Sequence, residues 1–249
     1  MKGEKIGQGS YGTVYQGLDL VKGTFLAIRE IKIPVDMMQM FQSLRLVQNE
    51  MALLKGLNNP NVIQFYGAKV SLEKRMIDLA MEYVPGGSIR SLLDQFISFQ
   101  EKLAKVYVRQ ILNGLCYLHL HNIVHRNLRC SNLLLDANGM IKISDFGTAK
   151  KVKILGMLEA NEIEEEETFP DALFSFPSFL APEILERKEN GKEADIWSLG
   201  CLLIEMLTSK PAWVEYDGKV EKIMKAINNK RKPDYPPNIS NECRDFLDQ

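Results

Sequence analysis

The order of segments along the chain predicts an α+β protein. A small antiparallel β lobe with one helix comes first, and a larger, mainly helical lobe follows. Two observations carry this. Up to about residue 84, short β-rich runs alternate with turns, interrupted by one stretch of helical periodicity; from Glu101 onward helical periodicity takes over. The 249 residues, 45% hydrophobic and 25% charged, suffice for one large domain or two small lobes, each with a core.

Ile6 to Gly17 alternates apolar positions around glycines, as a hairpin with a glycine-rich turn would, and Thr24 to Ile31 is a second β-rich run. From Val35 to Leu54, Met38, Phe41, Leu44, Val47, Met51 and Leu54 recur at helical spacing. Val62 to Tyr66 and Met76 to Tyr83 read as further strands, and Pro85-Gly86-Gly87-Ser88 reads as a linker between lobes. In the second lobe, Glu101 to His119 is amphipathic, with Leu103, Val106, Val108, Ile111, Leu115 and Leu118 as its expected core face. Ile123 to Ile143 holds short strands and loops, and Asp195 to Thr208 is an apolar helix expected at the lobe centre. From Ile154 to Glu186 there is no Lys or Arg, while Glu159, Glu162, Glu164 to Glu167 and Asp171 make the segment acidic, as in a solvated loop.

The net charge of −1 argues against a basic nucleic-acid face and against attraction to anionic lipid. Cys116, Cys130, Cys201 and Cys243 lie far apart with no C-x-x-C pair, so reduced thiols are expected rather than disulfides or zinc. The longest apolar run, Leu199 to Leu207, contains Glu205 and is too short to span a bilayer. A cytoplasmic home follows as the expectation.

Gly7-Gln8-Gly9-Ser10-Tyr11-Gly12-Thr13-Val14 fits G-x-G-x-x-G-x-V. Such glycines let backbone amides approach phosphate oxygens, and they equally suit a tight hairpin. The elements that follow make the pattern specific. Ala27-Ile28-Arg29 precedes a helix with Glu50; then come His125-Arg126-Asn127-Leu128-Arg129-Cys130-Ser131-Asn132, Asp145-Phe146-Gly147, Ala181-Pro182-Glu183 and Asp195-Ile196-Trp197-Ser198-Leu199-Gly200. In this order the chain resembles the protein-kinase superfamily over essentially its whole length. Lys2 to Gly7, Glu82 to Ile89 and Asn241 to Leu247 look most like the Ser/Thr MAP kinase kinase kinases of the MEKK/STE11 type.

The resemblance implies the bilobal kinase fold, with residues 1–84 as N-lobe and 85–249 as C-lobe. It also implies further helices after Gln249, so the large lobe is expected to be truncated and of low stability. ATP and Mg²⁺ are the implied cofactors. Ile6, Gly7, Gly9, Gly12, Val14, Ala27, Arg29 and Leu134 would surround the nucleotide, with Met81 as gatekeeper and the backbone of Glu82 and Val84 at the adenine edge. Asn132 and Asp145 would supply oxygen ligands to the metal. Leu54, Phe65, His125 and Phe146 would stack as a spine. Arg126 would receive an activation-segment phosphate, a role the carboxylates of Glu164 to Glu167 could also fill.

The chain departs from the family at four positions. Arg29 stands where a lysine contacts the phosphates; it keeps the charge but spreads it over a larger planar fork, and it can still pair with Glu50. Asn127 replaces the catalytic aspartate and has no useful basicity. Arg129 replaces the lysine that neutralises the transferring phosphate. Phe176 replaces the threonine that bonds the catalytic aspartate. Lysine-to-arginine and aspartate-to-asparagine are also choices for deliberate inactivation, but the changes at 129 and 176 are not, which favours a natural pseudokinase. Three readings are in play: a nucleotide-binding pseudokinase that regulates a MAP-kinase-type cascade by binding other kinases, a slow Ser/Thr kinase, and a scaffold that binds no nucleotide.

Overall fold

A computed structural model describes residues 1–9, 12–152, 174–186, 191–229 and 231–249. Its N-terminal part is a five-stranded antiparallel sheet in the order β1-β2-β3-β5-β4. The strands are β1 (Lys2–Gly9), β2 (Gly12–Leu18), β3 (Phe25–Lys32), β4 (Phe65–Ser71) and β5 (Met76–Glu82). The register places Ala27 of β3 between Gln16 and Met81, and Arg29 between Val14 and Leu79. Helix α1 (Met37–Leu54) lies against this sheet. It starts two residues later than the apolar spacing suggests, because the Asp36 carboxylate accepts the Gln39 amide at 2.9 Å and caps it.

Val47 packs on Ile31, Ile33, Ile77 and Leu79 of the sheet. Met38 and Phe41, expected on that face, are 71% and 62% exposed. The first turns of α1 overhang the sheet, and periodicity alone cannot show where a helix runs past its partner. The expected strand at Val62 to Tyr66 is also shifted. Val62 and Ile63 are buried against Ile143, outside any named strand, and the run that pairs with β5 begins at Phe65.

The helical lobe begins with α2 (Ile89–Phe96), a helix that the sequence did not predict and that starts directly after the expected linker Pro85-Gly86-Gly87-Ser88. Ser88 and Ser91 form a reciprocal capping box at its start. Helices α3 (Glu101–Leu120) and α5 (Glu193–Thr208) form the lobe centre; Ile111, Leu115, Leu118, Leu199, Leu202 and Met206 share one core. Leu103 and Val106 do not join it, at 39% and 49% exposed; Ala104 and Tyr107 do. Short strands β6 (Ile123–Val124), β7 (Leu133–Leu135), β8 (Ile141–Ile143) and β9 (Lys150–Lys151) pair as β6-β9 and β7-β8. Helices α4 (Pro182–Leu185), α6 (Val220–Asn228) and α7 (Asn241–Asp248) complete the described residues. Around Trp213, Phe179, Leu180, Ile184 and Ile223 build a second core. Among the described residues, no helix is long and apolar enough to cross a membrane.

The loop after β6 is fixed from below. Asp195, in the first turn of α5, is fully buried. Its carboxylate accepts the His125 amide at 2.9 Å and the Arg126 amide at 2.8 Å, and His119 Nε2 lies 2.8 Å away. Arg126 is thereby held at φ 64°, a left-handed conformation that ordinary side chains avoid. Asp195→Asn turns one acceptor oxygen into a donor facing donors. Urea denaturation is expected to register a loss of about 3 kcal/mol or more; a change within ~0.5 kcal/mol would show that the carboxylate is not what holds the loop.

Candidate active site

The loop between β6 and β7 turns back on itself through the backbone of Asn127. Asn132 Nδ2 donates to the Asn127 carbonyl at 2.8 Å, and the Asn132 carbonyl accepts both the Ser144 amide and the Ser144 hydroxyl at 2.9 Å. The His125–Asn132 loop and the Asp145-Phe146-Gly147 segment are thus tied together. His125 links them again. Its Nδ1 accepts the Asn127 amide at 3.3 Å, while its Nε2 lies 3.0 Å from the Ser144 carbonyl, which can only accept. That pattern demands the neutral ring protonated on Nε2, in keeping with burial, which pushes its pKa down against the pull of Asp195. The same ring meets Phe146 edge-on at 4.8 Å; Phe146 and Leu54 belong to the main core, and half-buried Phe65 packs against it.

Arg29, Glu50 and Asp145 form the charged centre. Arg29 on β3 is buried, and its Nη2 pairs with Glu50 Oε2 on α1. The other arm, Nη1, lies 3.5 Å from Asp145 Oδ1. Burial raises the Glu50 pKa; the Arg29 charge opposes this and Asp145 adds to it. A planar fork with two arms can serve both carboxylates at once. The second oxygen of Asp145 accepts Asn127 Nδ2 at 3.0 Å. Asp145 itself sits at φ 67°.

The residues expected around a nucleotide are distributed over this cleft. Met81, Val84 and Leu134 pack on the rim of the main core, and Ala27 sits in register with Met81. Ile6 is 43% exposed on β1, and Val14 of β2 is half-buried. The Glu82 side chain is committed elsewhere: Oε1 pairs with Lys142 of β8 at 2.8 Å, and Oε2 accepts the Gln64 amide at 3.2 Å. The Glu82 amide in turn donates to the Gln64 carbonyl at 2.9 Å. Neither Lys142 nor Asp195 figures among the sequence-predicted site residues: Asp195 opens a motif read only as a buried helix, and the partners of both are far away along the chain.

The glycines separate into kinds. Gly12 has φ +140°, and a Cβ there would fall 2.2 Å from the Glu30 carbonyl, so the hairpin itself demands glycine. A Cβ at Gly7 would meet only Val14 Cβ at 3.8 Å, an ordinary contact. Packing therefore does not explain Gly7. Gly9 closes β1 opposite Gly12; Ser10 and Tyr11 lie outside the described residues.

Arg129 and Phe176, two of the four departures, meet each other. The guanidinium carbon lies 3.6 Å from the ring centroid, a close cation–π stack. Arg126 donates from Nε to the Thr148 carbonyl at 2.6 Å. Its expected partners Glu164 to Glu167 lie outside the described residues.

Two lobes joined at this cleft, with a paired β3 cation and α1 glutamate above an asparagine–aspartate floor, define the protein-kinase class. The protein kinase domain model matches residues 1–249, and the chain belongs to that family. Among its relatives are MAP kinase kinase kinases. It is 40% identical over 250 residues to mitogen-activated protein kinase kinase kinase 3 of Arabidopsis thaliana, covering 99% of this chain and 38% of that protein. It is 36% identical to the mitogen-activated protein kinase kinase kinase MST11 of Pyricularia oryzae, covering all of this chain and 27% of that one. It is 34% identical to human mitogen-activated protein kinase kinase kinase 3, covering 99% and 38%. The chain thus spans little more than a third of these relatives at most. Members of the family generally use ATP and Mg²⁺.

The two glycines make separable predictions. Gly12→Ala is expected to lower stability by more than about 1 kcal/mol, read as a drop in melting temperature. Gly7→Ala is expected to leave the melt unchanged and, if the cleft holds ATP as the family does, to abolish most of the stabilisation by that nucleotide. Equal ATP shifts for Gly7→Ala and the unmodified protein would return Gly7 to a purely structural role.

Proposed function

We propose that this domain is a nucleotide-binding pseudokinase of MAP kinase kinase kinase type, acting in a kinase cascade by binding other kinases. The observation that carries this reading is the 3.0 Å hydrogen bond from Asn127 Nδ2 to Asp145 Oδ2. A carboxylate at position 127 could only accept and would repel Asp145. The carboxamide instead donates, so the side chain at the base position serves the cleft's internal structure. It has no basicity with which to take a proton from a substrate hydroxyl. The Arg129–Phe176 stack adds to this, since each occupies the other where the family presents a lysine and a threonine to the acceptor.

Val14, Ala27 and Leu134 would enclose adenine, Met81 would sit behind it, and the backbone of Glu82 and Val84 would bond its edge. Ile6, Gly7, Gly9 and Gly12 would cover the phosphates, with Arg29 beneath. A nucleotide in that position supplies binding free energy that favours the closed arrangement of residues 1–84 over 85–249, and a partner kinase would read that arrangement. A cytoplasmic location goes with these partners.

A second reading, a slow Ser/Thr kinase, has one observation in its favour. The Arg29–Glu50 pair is formed and Phe146 is packed against His125, so the framework for phosphoryl transfer stands. Radiolabelled phosphate transfer from ATP to itself and to a generic Ser/Thr protein decides between them. The unmodified domain is expected to be silent. The double revertant Arg29→Lys, Asn127→Asp is expected to stay weak while Phe176 covers Arg129. Adding Arg129→Lys and Phe176→Thr is expected to raise transfer by roughly 10²–10⁴-fold over the unmodified domain. Transfer by the unmodified domain that Asp145→Ala abolishes would sink the pseudokinase reading. ATP at a hundred times its Kd should stabilise the fold by ~2.7 kcal/mol; no shift at all would favour a scaffold without nucleotide.

A further inference from the structure

The family's metal does not fit the residues at its position here. Mg²⁺ demands close to six oxygen donors in octahedral array and takes them from carboxylates, phosphates and water. Asp145 is the one carboxylate among the expected ligands, and both of its oxygens face nitrogen donors. Oδ1 faces Arg29 Nη1 at 3.5 Å, and Oδ2 accepts Asn127 Nδ2 at 3.0 Å. Asn132 is also engaged: Nδ2 donates to the Asn127 carbonyl at 2.8 Å, and Oδ1 lies 3.4 Å from the Ser131 hydroxyl. Among the described residues, no three His, Cys, Asp or Glu side chains gather as a metal site.

Both donors to Asp145 come from positions at which the chain departs from its family. The pattern implied by the resemblance places one cation and three carboxylates here: lysine, glutamate, aspartate and aspartate. This chain has one cation and two carboxylates, in Arg29, Glu50 and Asp145. One negative charge that a divalent cation would offset has gone, and the one that remains at the floor is held by protein nitrogen.

We propose that this site binds adenine nucleotide without a divalent cation, with Arg29 and Asn127 holding Asp145 in the metal's stead. The proposal rests on the nucleotide-binding reading above and makes a demand of its own: affinity must be indifferent to metal, and the indifference must depend on Asn127. Asn127→Asp restores a carboxylate beside Asp145 and removes the donor, so it should create a need for metal.

The experiment is calorimetric titration of ATP into the domain, in EDTA and again in excess MgCl₂. For the unmodified protein, Kd should change by less than about threefold between the two buffers. For Asn127→Asp, Mg²⁺ should tighten binding by about tenfold or more. Should that variant fail to fold, Asn127→Ala removes the donor without adding charge and should show a smaller gain in the same direction. Tightening of about tenfold by Mg²⁺ in the unmodified protein overturns the proposal and leaves the nucleotide-binding reading intact. Equal indifference to metal in all variants overturns it as well, because Asn127 would not be the cause. No heat and no melting shift in either buffer overturns both.

Discussion

Asp195 is sealed from solvent, and its two oxygens accept the backbone amides of His125 and Arg126. A buried carboxylate is tolerable only when hydrogen bonds replace its hydration, and here the donors are main-chain groups that otherwise would be buried unpaired. The debt is mutual: the loop satisfies the carboxylate and the carboxylate fixes the loop. From that fixed point the rest follows in sequence. Arg126 is forced into a left-handed turn, Asn127 is aimed at Asp145, and His125 is locked as the neutral tautomer that ties Ser144 and Phe146 into place.

Above this floor the sheet and α1 meet through Arg29 and Glu50. Desolvating two charges costs several kcal/mol each, so such a pair is weak evidence for stability and better evidence for a defined geometry. Arg29 adds a feature that an ammonium could not match as well, because its separate arms address carboxylates on α1 and on the Asp145 segment. The guanidinium therefore couples the position of α1 to that of Asp145. Glu82 and Lys142 make a second tie, between β5 and β8, on the far side of the cleft. Relative movement of the lobes has to break or carry both.

Much of this was legible in the sequence, and the reason is local chemistry. Glycine spacing, the Asp145-Phe146-Gly147 turn and the helix around Leu199 each carry their meaning within a few residues. What escaped was of two kinds. Helix α2 was not predicted, because its signal is a capping box of two serines, the first of which closes Pro85-Gly86-Gly87-Ser88, a stretch that looks like a break. Met38, Phe41, Leu103 and Val106 have the spacing of core residues yet face solvent, because helical period gives the face of a helix and not the extent of its partner. Gly12 could not be split from Gly7 by spacing either; only the 2.2 Å approach to the Glu30 carbonyl shows which glycine the hairpin itself requires.

The departures from the family are not scattered damage. Arg29 and Asn127 converge on the two oxygens of Asp145, and Arg129 stacks on Phe176. Each altered residue thus makes a contact that depends on another alteration or on the same carboxylate. Residues that share partners do not contribute additively, so the effect of any one of them is defined only in the presence of the others. A lysine at position 29 would keep the charge but lose the second arm. An aspartate at 127 would meet Asp145 as a like charge while Arg129 remained covered by Phe176. The cleft is self-consistent as it stands, with both oxygens of Asp145 facing protein nitrogen. That consistency is what the proposed reading, a kinase fold that works by binding, would require of the cleft.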